Sequence, residues 1–243
     1  MIVSRQNNLI KRLKALSSKK ERAISGTYLA EGENSVGDAV KLGARIVTLL
    51  TYPENAEKYL DKGFPVEIAP REIVDYCADS VTPQGVVAEV KIPSPPPKVS
   101  GNCVLLDGVS DPGNVGTIIR TCAAVGVKDV LLVSCADAFS PKCVRSSMSG
   151  IFSVNIHDVT RERALKLVEN KVKIVADMAG ENVFSCEVDD FCLIIGSEAH
   201  GVSDYFTEKA DKIVSLPMRR EMESLNAGVS CSVILYTLLK NKI

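Results

Sequence analysis

The sequence predicts an α/β protein in two parts, and three observations support this. Strand-like and helical segments alternate along the chain of 243 residues, as in sheets joined by crossover helices. The runs at 129–134 and 191–196 are apolar throughout, which is typical of strands covered on both faces. A single Pro-rich stretch interrupts the alternation and divides the chain.

That stretch occupies residues 93–101 and contains four prolines. Proline lacks a backbone donor and favours an extended conformation, so this segment fits neither a helix interior nor a central strand. We therefore expect a small α/β domain at 1–92, a linker at 93–101 and a larger domain at 102–243.

In the first domain, apolar residues at helical spacing predict a helix within residues 4–20. The elements expected after it are strands at 28–31, 45–51, 65–69 and 84–91 and helices at 33–42, 54–61 and 71–77. Residues 1–22 hold seven Lys or Arg against one acid, Glu21. Such clustered bases form either a solvated face or a phosphate-binding face.

The second domain is expected to be a mainly parallel sheet with helices on both faces. Its predicted strands are 103–107, 129–134, 153–157, 172–177, 191–195 and 212–216. Its predicted helices are 114–125, 141–149, 161–170, 203–208 and 224–240. Asn114 is the expected N-cap of the first of these helices.

Composition excludes several classes of protein. The chain has eight cysteines but no CxxC pair and only two histidines, which argues against a zinc site or any other metal and favours reduced thiols in the cytoplasm. The apolar run at 225–239 is shorter than the ~20 residues that span a bilayer, so we expect a buried helix and no membrane segment.

Three loops follow predicted strands, at 107–120, 196–201 and 216–226, where open α/β sheets bind ligands. Arg120 lies among small residues on the helix that follows the first loop. On spacing alone, a solvated Arg and a functional Arg are equally compatible with this position. Neither a nucleotide-binding GxGxxG nor a hydrolase GxSxG sequence occurs there.

Taken together, the loops carry a more specific pattern. Three short sequences follow one another along the chain. They are Asp107-Gly-Val-Ser-Asp-Pro-Gly-Asn-Val-Gly-Thr-Ile-Ile-Arg120, then Ile195-Gly-Ser-Glu-Ala-His-Gly201, and then Leu216-Pro-Met with Glu223-Ser-Leu-Asn226. They resemble the three signature motifs of the SpoU (TrmH) family of RNA 2′-O-ribose methyltransferases, in the SPOUT superfamily. Tyr28-Leu-Ala-Glu-Gly32, Gln84-Gly85 and the segment from Pro141 to Ser147 are similar to further parts of such proteins.

The resemblance implies a trefoil knot in the C-terminal sheet, S-adenosylmethionine as cofactor and a homodimer formed through the C-terminal domain. The substrate would be structured RNA, ribosomal RNA first and transfer RNA second. The alternative is an RNA-binding or ribosome-assembly protein that keeps the fold without catalysis. The presence of the motif residues themselves favours the enzyme.

The resemblance also assigns roles by position. The expected catalytic residues are Arg120, Asn114, Glu198, Ser224 and Asn226. The expected cofactor-binding residues are Gly196, Gly201, Leu216, Met218 and Leu225. The expected RNA-binding residues are Arg5, Lys11, Lys14, Lys20, Arg22, Lys142 and Arg145. Ser224 would serve equally well as a helix cap, and Gly228 inside the last helix suggests close packing.

Overall fold

The structure, a computed structural model, describes residues 1–219, 221 and 224–242. The elements of its N-terminal part are α1 (Asn8–Ala15), α2 (Lys19–Ser25), β1 (Thr27–Glu31), α3 (Glu33–Lys41), β2 (Ile46–Thr51), β3 (Val66–Ile68), α4 (Arg71–Cys77) and β4 (Val86–Lys91). Their strands form a four-stranded sheet in the order β1-β4-β2-β3, in which β4 runs antiparallel to both neighbours. Residues 53–58 form a 3-10 helix where a helix at 54–61 was predicted.

The elements of the C-terminal part are β5 (Cys103–Asp107), α5 (Pro112–Ala124), β6 (Asp129–Val133), α6 (Pro141–Ser146), β7 (Asn155–Asp158), α7 (Arg161–Leu167), β8 (Val172–Asn182), β9 (Phe191–Gly196), α8 (Asp204–Thr207), β10 (Lys212–Ser215) and α9 (Ala227–Leu239). Their strands form a six-stranded parallel sheet in the order β10-β8-β9-β5-β6-β7. This confirms the predicted fold class; the knot stays a prediction.

The central strand β5 is apolar throughout because both of its faces are covered. Val104 and Leu106 belong to the hydrophobic cluster that includes α5 and α9. Cys103 and Leu105 belong to a second cluster on the opposite face, which includes Phe206. Alternate residues of a strand point to opposite faces, so this sheet has a core on each side.

Helices α5 and α9 do not begin at the residues that were predicted. The N-cap of α5 is Asp111, whose side chain accepts a hydrogen bond from the backbone amide of Asn114, and Pro112 occupies the first turn. The prediction that Asn114 caps this helix was therefore wrong. Helix α9 begins at Ala227 and is capped by Asn226, so Ser224 is not its cap.

The predicted single basic helix at 4–20 is two helices, and Arg22 explains the break. Its guanidinium Nη1 donates to the carbonyl oxygens of Leu16 and Ser17, at 2.7 and 2.9 Å. These carbonyls directly follow α1 and would otherwise lack a partner. Arg22 itself is only 4% exposed, because it also pairs with Asp137 of the C-terminal part, with Nη2 and Oδ2 2.6 Å apart.

The prediction that Arg22 contacts RNA therefore disagrees with the structure, since both sides of its guanidinium face protein groups. Beside it, Tyr28 of β1 and Phe139 have ring centroids 5.0 Å apart. The largest hydrophobic cluster contains residues from both sheets. The two parts are thus packed together through a common core.

Helix α9 is buried on one face and exposed on the other. Ile234, Leu235 and Cys231 are fully or almost fully buried, whereas Tyr236 is 50% exposed. Gly228 packs against Thr117 of α5, where an added Cβ would lie 3.0 Å from the threonine Cγ2. This is the close packing that the sequence suggested. Within the described residues, no helix has the length and hydrophobicity needed to cross a membrane.

Candidate active site

A crevice of about 630 Å³ opens at the carboxyl ends of β9 and β10, against the middle of β8 and beside the start of α9. Parallel sheets bind ligands at the carboxyl ends of their strands. Its lining contains all five predicted cofactor-binding residues, namely Gly196, Gly201, Leu216, Met218 and Leu225. The fold thus brings together residues that the sequence places in two separate loops.

Glycine at position 196 is required by the backbone alone. Ser197 and Gly201 exchange two backbone hydrogen bonds, at 3.0 and 2.9 Å, which fold the loop back on itself. A Cβ on Gly196 would lie 1.9 Å from the carbonyl carbon of Gly201, which no side chain can do. Gly201 has φ +67°, a conformation that favours glycine. The part of the crevice wall formed by this loop is therefore made of main chain.

Three of the predicted catalytic side chains form one hydrogen-bonded network at the rim of the crevice. Asn226 Nδ2 donates to Asn114 Oδ1 at 2.8 Å, and Asn114 Nδ2 donates to Glu198 Oε1 at 2.7 Å. Asn226 Oδ1 in turn accepts from the backbone amides of Gly228 and Val229 in the first turn of α9. The three motifs meet in this network.

The direction of every bond in this network follows from the charge on Glu198. Partial burial raises the pKa of Glu198, but hydrogen bonds from Asn114 and from backbone amides lower it more, so the pKa lies below its ordinary value. An ionised carboxylate only accepts hydrogen bonds. Asn114 must therefore turn its amide nitrogen to Glu198 and its oxygen to Asn226. The network is fixed in one orientation at neutral pH.

Because Asn114 does not cap α5, its side chain is directed across the crevice rim from the first turn of that helix. Asp111 takes over the cap and also binds Lys142, with Nζ and Oδ2 2.6 Å apart. The Lys142 ammonium, together with the capping amides, holds the pKa of the Asp111 carboxyl below its ordinary value despite partial desolvation. The helix start that carries Asn114 is thus held by a charged cap.

The two remaining catalytic candidates are placed differently. Ser224 lines the crevice on its exposed side. Arg120 is exposed on α5 and is absent from the described residues that line the crevice of its own chain. Its backbone is covered by Gly150, where an added Cβ would lie 3.0 Å from Arg120 Cα. Glu223 of the third motif lies outside the described residues.

Most predicted RNA-binding residues are exposed. Lys11, Lys20 and Lys142 are on the surface, and Arg145 pairs with Asp79 at 2.6 Å. Arg5 and Lys14 both lie over the ring of Tyr76, at 4.6 and 5.1 Å from its centroid. Apart from the buried Arg22, these side chains are accessible to an anionic partner.

Sequence reasoning missed part of the crevice. Ala176, Asp177 and Met178 of β8 line it, as do Ser230 and Ile234 of α9. The available signal was the carboxyl end of the strand predicted at 172–177, which is adjacent to β9 in a parallel sheet. The strand also runs on to Asn182, because Gly180 lets β10 approach closely.

No cluster of three or more His, Cys, Asp or Glu with metal-binding geometry is found in the part of the chain that the structure describes. The eight cysteines are all unpaired, and only Cys135 is partly exposed. The polar side chains that line the crevice are serine hydroxyls, the amide of Asn226, the imidazole of His200 and the carboxylates of Asp177 and Glu198.

Comparison with known proteins gives a consistent result. Residues 101–236 match the model of the SpoU rRNA Methylase family, and residues 7–88 match the MRM3-like substrate binding domain. The chain is 31% identical over 245 residues to the 23S rRNA (guanosine(2553)-2'-O)-methyltransferase RlmP of Bacillus subtilis, covering 98% of each chain. It is 28% identical over 258 residues to the 23S rRNA (uridine(2479)-2'-O)-methyltransferase of Streptomyces viridochromogenes, covering 94% of this chain and 88% of that one.

The fold matches as well. The crystal structure of an AdoMet-bound rRNA methyltransferase from Sinorhizobium meliloti aligns with a TM-score of 0.91 at 26% identity, covering 100% of this chain and 98% of that one. The family model, the relatives and the structural neighbour agree with the resemblance carried by the three motifs. The chain therefore belongs to the SpoU rRNA methylase family.

Proposed function

We propose that this protein transfers the methyl group of S-adenosylmethionine to a ribose 2′-hydroxyl of ribosomal RNA, in the cytoplasm. The observation that carries the proposal is the Asn114–Glu198–Asn226 network at the rim of a glycine-walled crevice. The Bacillus and Streptomyces relatives are named as enzymes of this kind acting on 23S rRNA. The catalytically inactive alternative would not require these three motif residues to be assembled.

The crevice fits the cofactor in size and in chemistry. Its volume of about 630 Å³ is within the ~300–1,000 Å³ typical of small-molecule sites. Main-chain groups of the loop between Gly196 and Gly201 would bind polar edges, while Leu216, Met218 and Leu225 would enclose the apolar parts. When bound, the cofactor supplies a methyl group already activated by its sulfonium. The rRNA methyltransferase from Sinorhizobium meliloti, which has the same fold, was crystallised with AdoMet bound.

The remaining task of the protein is to align the ribose and to stabilise the charge that develops on its 2′-oxygen. Asn114, Asn226 and Ser224 offer hydrogen-bonding groups at the crevice rim. Arg120 is a poor base, because a guanidinium stays protonated in proteins. We assign it instead to the neighbouring phosphate and to the developing negative charge.

We further propose a homodimer that covers the exposed face of α9. Several apolar side chains are exposed together there and on the adjacent turn, namely Leu225, Val229, Val233, Tyr236 and Phe184. An exposed apolar patch of this kind marks an interaction surface. Because α5 packs on α9 through Thr121 and Ser232, Arg120 lies next to this face. The dimer would then bring Arg120 towards the partner, which accounts for its position outside its own crevice.

The two family matches and the two sheets support the division into an RNA-binding domain at 1–92, a linker at 93–101 and a methyltransferase domain at 102–243. Residues 92–102 form neither helix nor strand. The trefoil knot is proposed for the C-terminal domain, where the chain leaves β10 at one sheet edge and returns to pack α9 against α5.

The test is methyl transfer from labelled S-adenosylmethionine to separated ribosomal and transfer RNA from cells that lack the protein. Wild type should label ribosomal RNA, and Arg120→Ala and Asn226→Ala should not. Mixed dimers of these two variants should regain part of the activity if each site takes Arg120 from the partner. Labelling of transfer RNA alone would reassign the substrate, and absence of labelling by wild type would support the inactive alternative.

A further inference from the structure

A second cavity, of about 230 Å³, lies between the two sheets, and among the described residues none lines both it and the crevice. Its walls come from both parts of the chain, from β1, α3 and the turn before β4 on one side and from α6 and the turn after it on the other. It is therefore a product of the packing of the two parts and exists in neither alone.

The walls suit a flat aromatic ring. Leu29 of β1 and Val144 of α6 are almost fully buried and line the cavity from the two different parts. Met148 also lines it and is 63% exposed, although its side chain is long and apolar. Thioethers make favourable contacts with aromatic rings. The cavity thus combines apolar walls with one exposed side chain that could close over a ligand.

The polar groups suit the edge of a base. Asn34 and Gln84 also line the cavity, and a side-chain amide offers a donor and an acceptor together, as nucleobase edges require. Gln84 lies directly over Gly32, where an added Cβ would be 2.6 Å from Gln84 Oε1. Gly32 has φ +88°, so glycine is needed there for the backbone as well as for the space.

Arg145 supplies a positive charge in the lining. Its Nη1 binds Asp79 Oδ2 at 2.6 Å, and the backbone amides of Asp79 and Ser80 donate to Glu31. These contacts hold Arg145 in place while leaving further guanidinium donors for a phosphate. Glu31 itself is engaged with main chain, so its charge is partly compensated at the cavity.

A single turn of the chain, formed by Met148, Ser149 and Gly150, connects the cavity to the backbone of Arg120. Met148 and Ser149 both have positive φ, 44° and 70°, a conformation that costs energy for side-chain-bearing residues and occurs often at functional sites. The next residue, Gly150, packs on the backbone of Arg120. The strained turn therefore has the cavity on one side and the Arg120 helix on the other.

We infer that this cavity binds one unpaired nucleotide of the RNA substrate, a few positions from the nucleotide that is methylated. The inference rests on the proposed function and extends it to how the RNA is recognised. The cavity is smaller than the ~300–1,000 Å³ of typical small-molecule sites, which fits a single base. Bases in an A-form duplex are not accessible to such a pocket, whereas bases splayed from a loop are.

The test uses two variants of the full-length chain. Asn34→Ala with Gln84→Ala removes the base-reading amides at exposed positions, and Ser35→Phe fills the cavity from α3. Asn170→Ala, at an exposed position remote from this cavity, is the matched control. Binding of a 23S rRNA fragment, S-adenosylmethionine affinity, melting temperature and methyl transfer are measured for each.

Both cavity variants should bind the rRNA fragment about tenfold more weakly, as expected for one base contact, with unchanged affinity for S-adenosylmethionine. The double variant should keep the wild-type melting temperature. If wild type methylates RNA and the double variant binds and methylates it equally well, the cavity assignment is overturned while the proposed function stands. If wild type binds RNA without methylating it, the proposed function fails and the binding comparison still decides the role of the cavity.

A photo-crosslinking amino acid in place of Met148 provides an independent measurement. It should crosslink to one unpaired nucleotide close to the methylated position, and the same group in place of Val81, which is 99% exposed, should not. Crosslinks spread over many nucleotides would overturn the inference. The inference would also be overturned if a free nucleoside monophosphate occupied the cavity and RNA did not displace it, because the occupant would then be free nucleotide.

Discussion

The crevice and the junction between the two sheets are held together in different ways. The crevice wall at Gly196 is main chain folded against Gly201, and at Gly196 it leaves no room for another atom. The junction is made of side chains, including the buried Arg22–Asp137 pair and the exposed Arg145–Asp79 pair. A wall of main chain fails completely when its geometry is changed, whereas a junction of side chains weakens in steps. We therefore expect the largest effects from substitutions in the crevice wall and smaller ones elsewhere.

Gly196→Ala should abolish cofactor binding. The new Cβ would overlap the carbonyl carbon of Gly201, so the loop must move by more than an ångström. We expect S-adenosylmethionine affinity to fall by at least about 100-fold, measured by calorimetry.

Gly37→Ala is the control, because no atom lies within 4 Å of its added Cβ and the residue is helical. It should stabilise the fold by about 0.5–1 kcal/mol and leave the cofactor affinity unchanged. If Gly196→Ala bound S-adenosylmethionine as tightly as wild type, the crevice wall would be able to adapt to the new side chain. The expected difference between the crevice wall and the side-chain junction would then be wrong.

Asn114→Asp should reduce methyl transfer on the order of 100-fold with little change in cofactor affinity. The substitution puts a second carboxylate 2.7 Å from Glu198 and removes the donor that orients the network. Lowering the pH should restore part of the activity, because protonating one of the two carboxyls restores a donor.

The pH–rate profiles of wild type, Asn114→Asp and Asn114→Ala test this. Only the Asp variant has a carboxyl that can regain a donor at low pH, so only its methyl-transfer activity should rise there. If the Ala variant showed the same pH–rate profile as the Asp variant, the role assigned to the hydrogen-bond network would be wrong. Cofactor affinity measured in parallel separates an effect on the rim from an effect on the crevice wall.

Arg22→Met should destabilise the fold by about 3 kcal/mol in urea unfolding, since two carbonyl groups and the partly buried Asp137 lose the guanidinium that pairs with them. RNA affinity should fall as the first two helices lose their attachment to the C-terminal part. Lys41→Met removes an exposed pair with Asp38 and should cost less than about 0.5 kcal/mol. Equal effects of the two substitutions would contradict the structural role of Arg22.

The smallest effect concerns the pH dependence of stability. The pKa of Glu198 is lower in the folded protein than its unfolded value of about 4.3, so its ionised form stabilises the fold. This contribution is fully present above the unfolded pKa and is lost as the pH falls through the folded pKa. The difference in unfolding free energy between wild type and Glu198→Gln should therefore shrink below about pH 4. A constant difference from pH 7 to pH 3 would show that the carboxylate charge does not matter.

Much of the fold could be predicted because local patterns determine it. The six strands of the C-terminal sheet were predicted in order, since apolar runs covered on both faces differ clearly from the polar loops between them. The three motif loops were also correctly expected at one edge of the sheet, because parallel strands bring their carboxyl ends together. The five residues expected to bind the cofactor all line one crevice for this reason.

The errors have a common physical cause. Asn114 and Asp111 are both good helix caps, and the side chain of Asn114 is instead bound to Glu198, 84 residues away. Arg22 resembles any other base in a basic segment until its partner, 115 residues away, is known. The length of β8 depends on β10 pairing beside Gly180. Each outcome was decided by a contact distant in sequence.

The sequence by itself determined the strands, the motif loops and the glycines that the crevice needs, because these depend on local hydrophobicity and on backbone conformation. Only the tertiary structure decided that Asn114 links Glu198 to Asn226 and that Arg22 is buried in the junction. Hydrogen-bond partners 84, 112 and 115 residues apart become neighbours only after the chain has folded, and burial then selects which polar groups are paired.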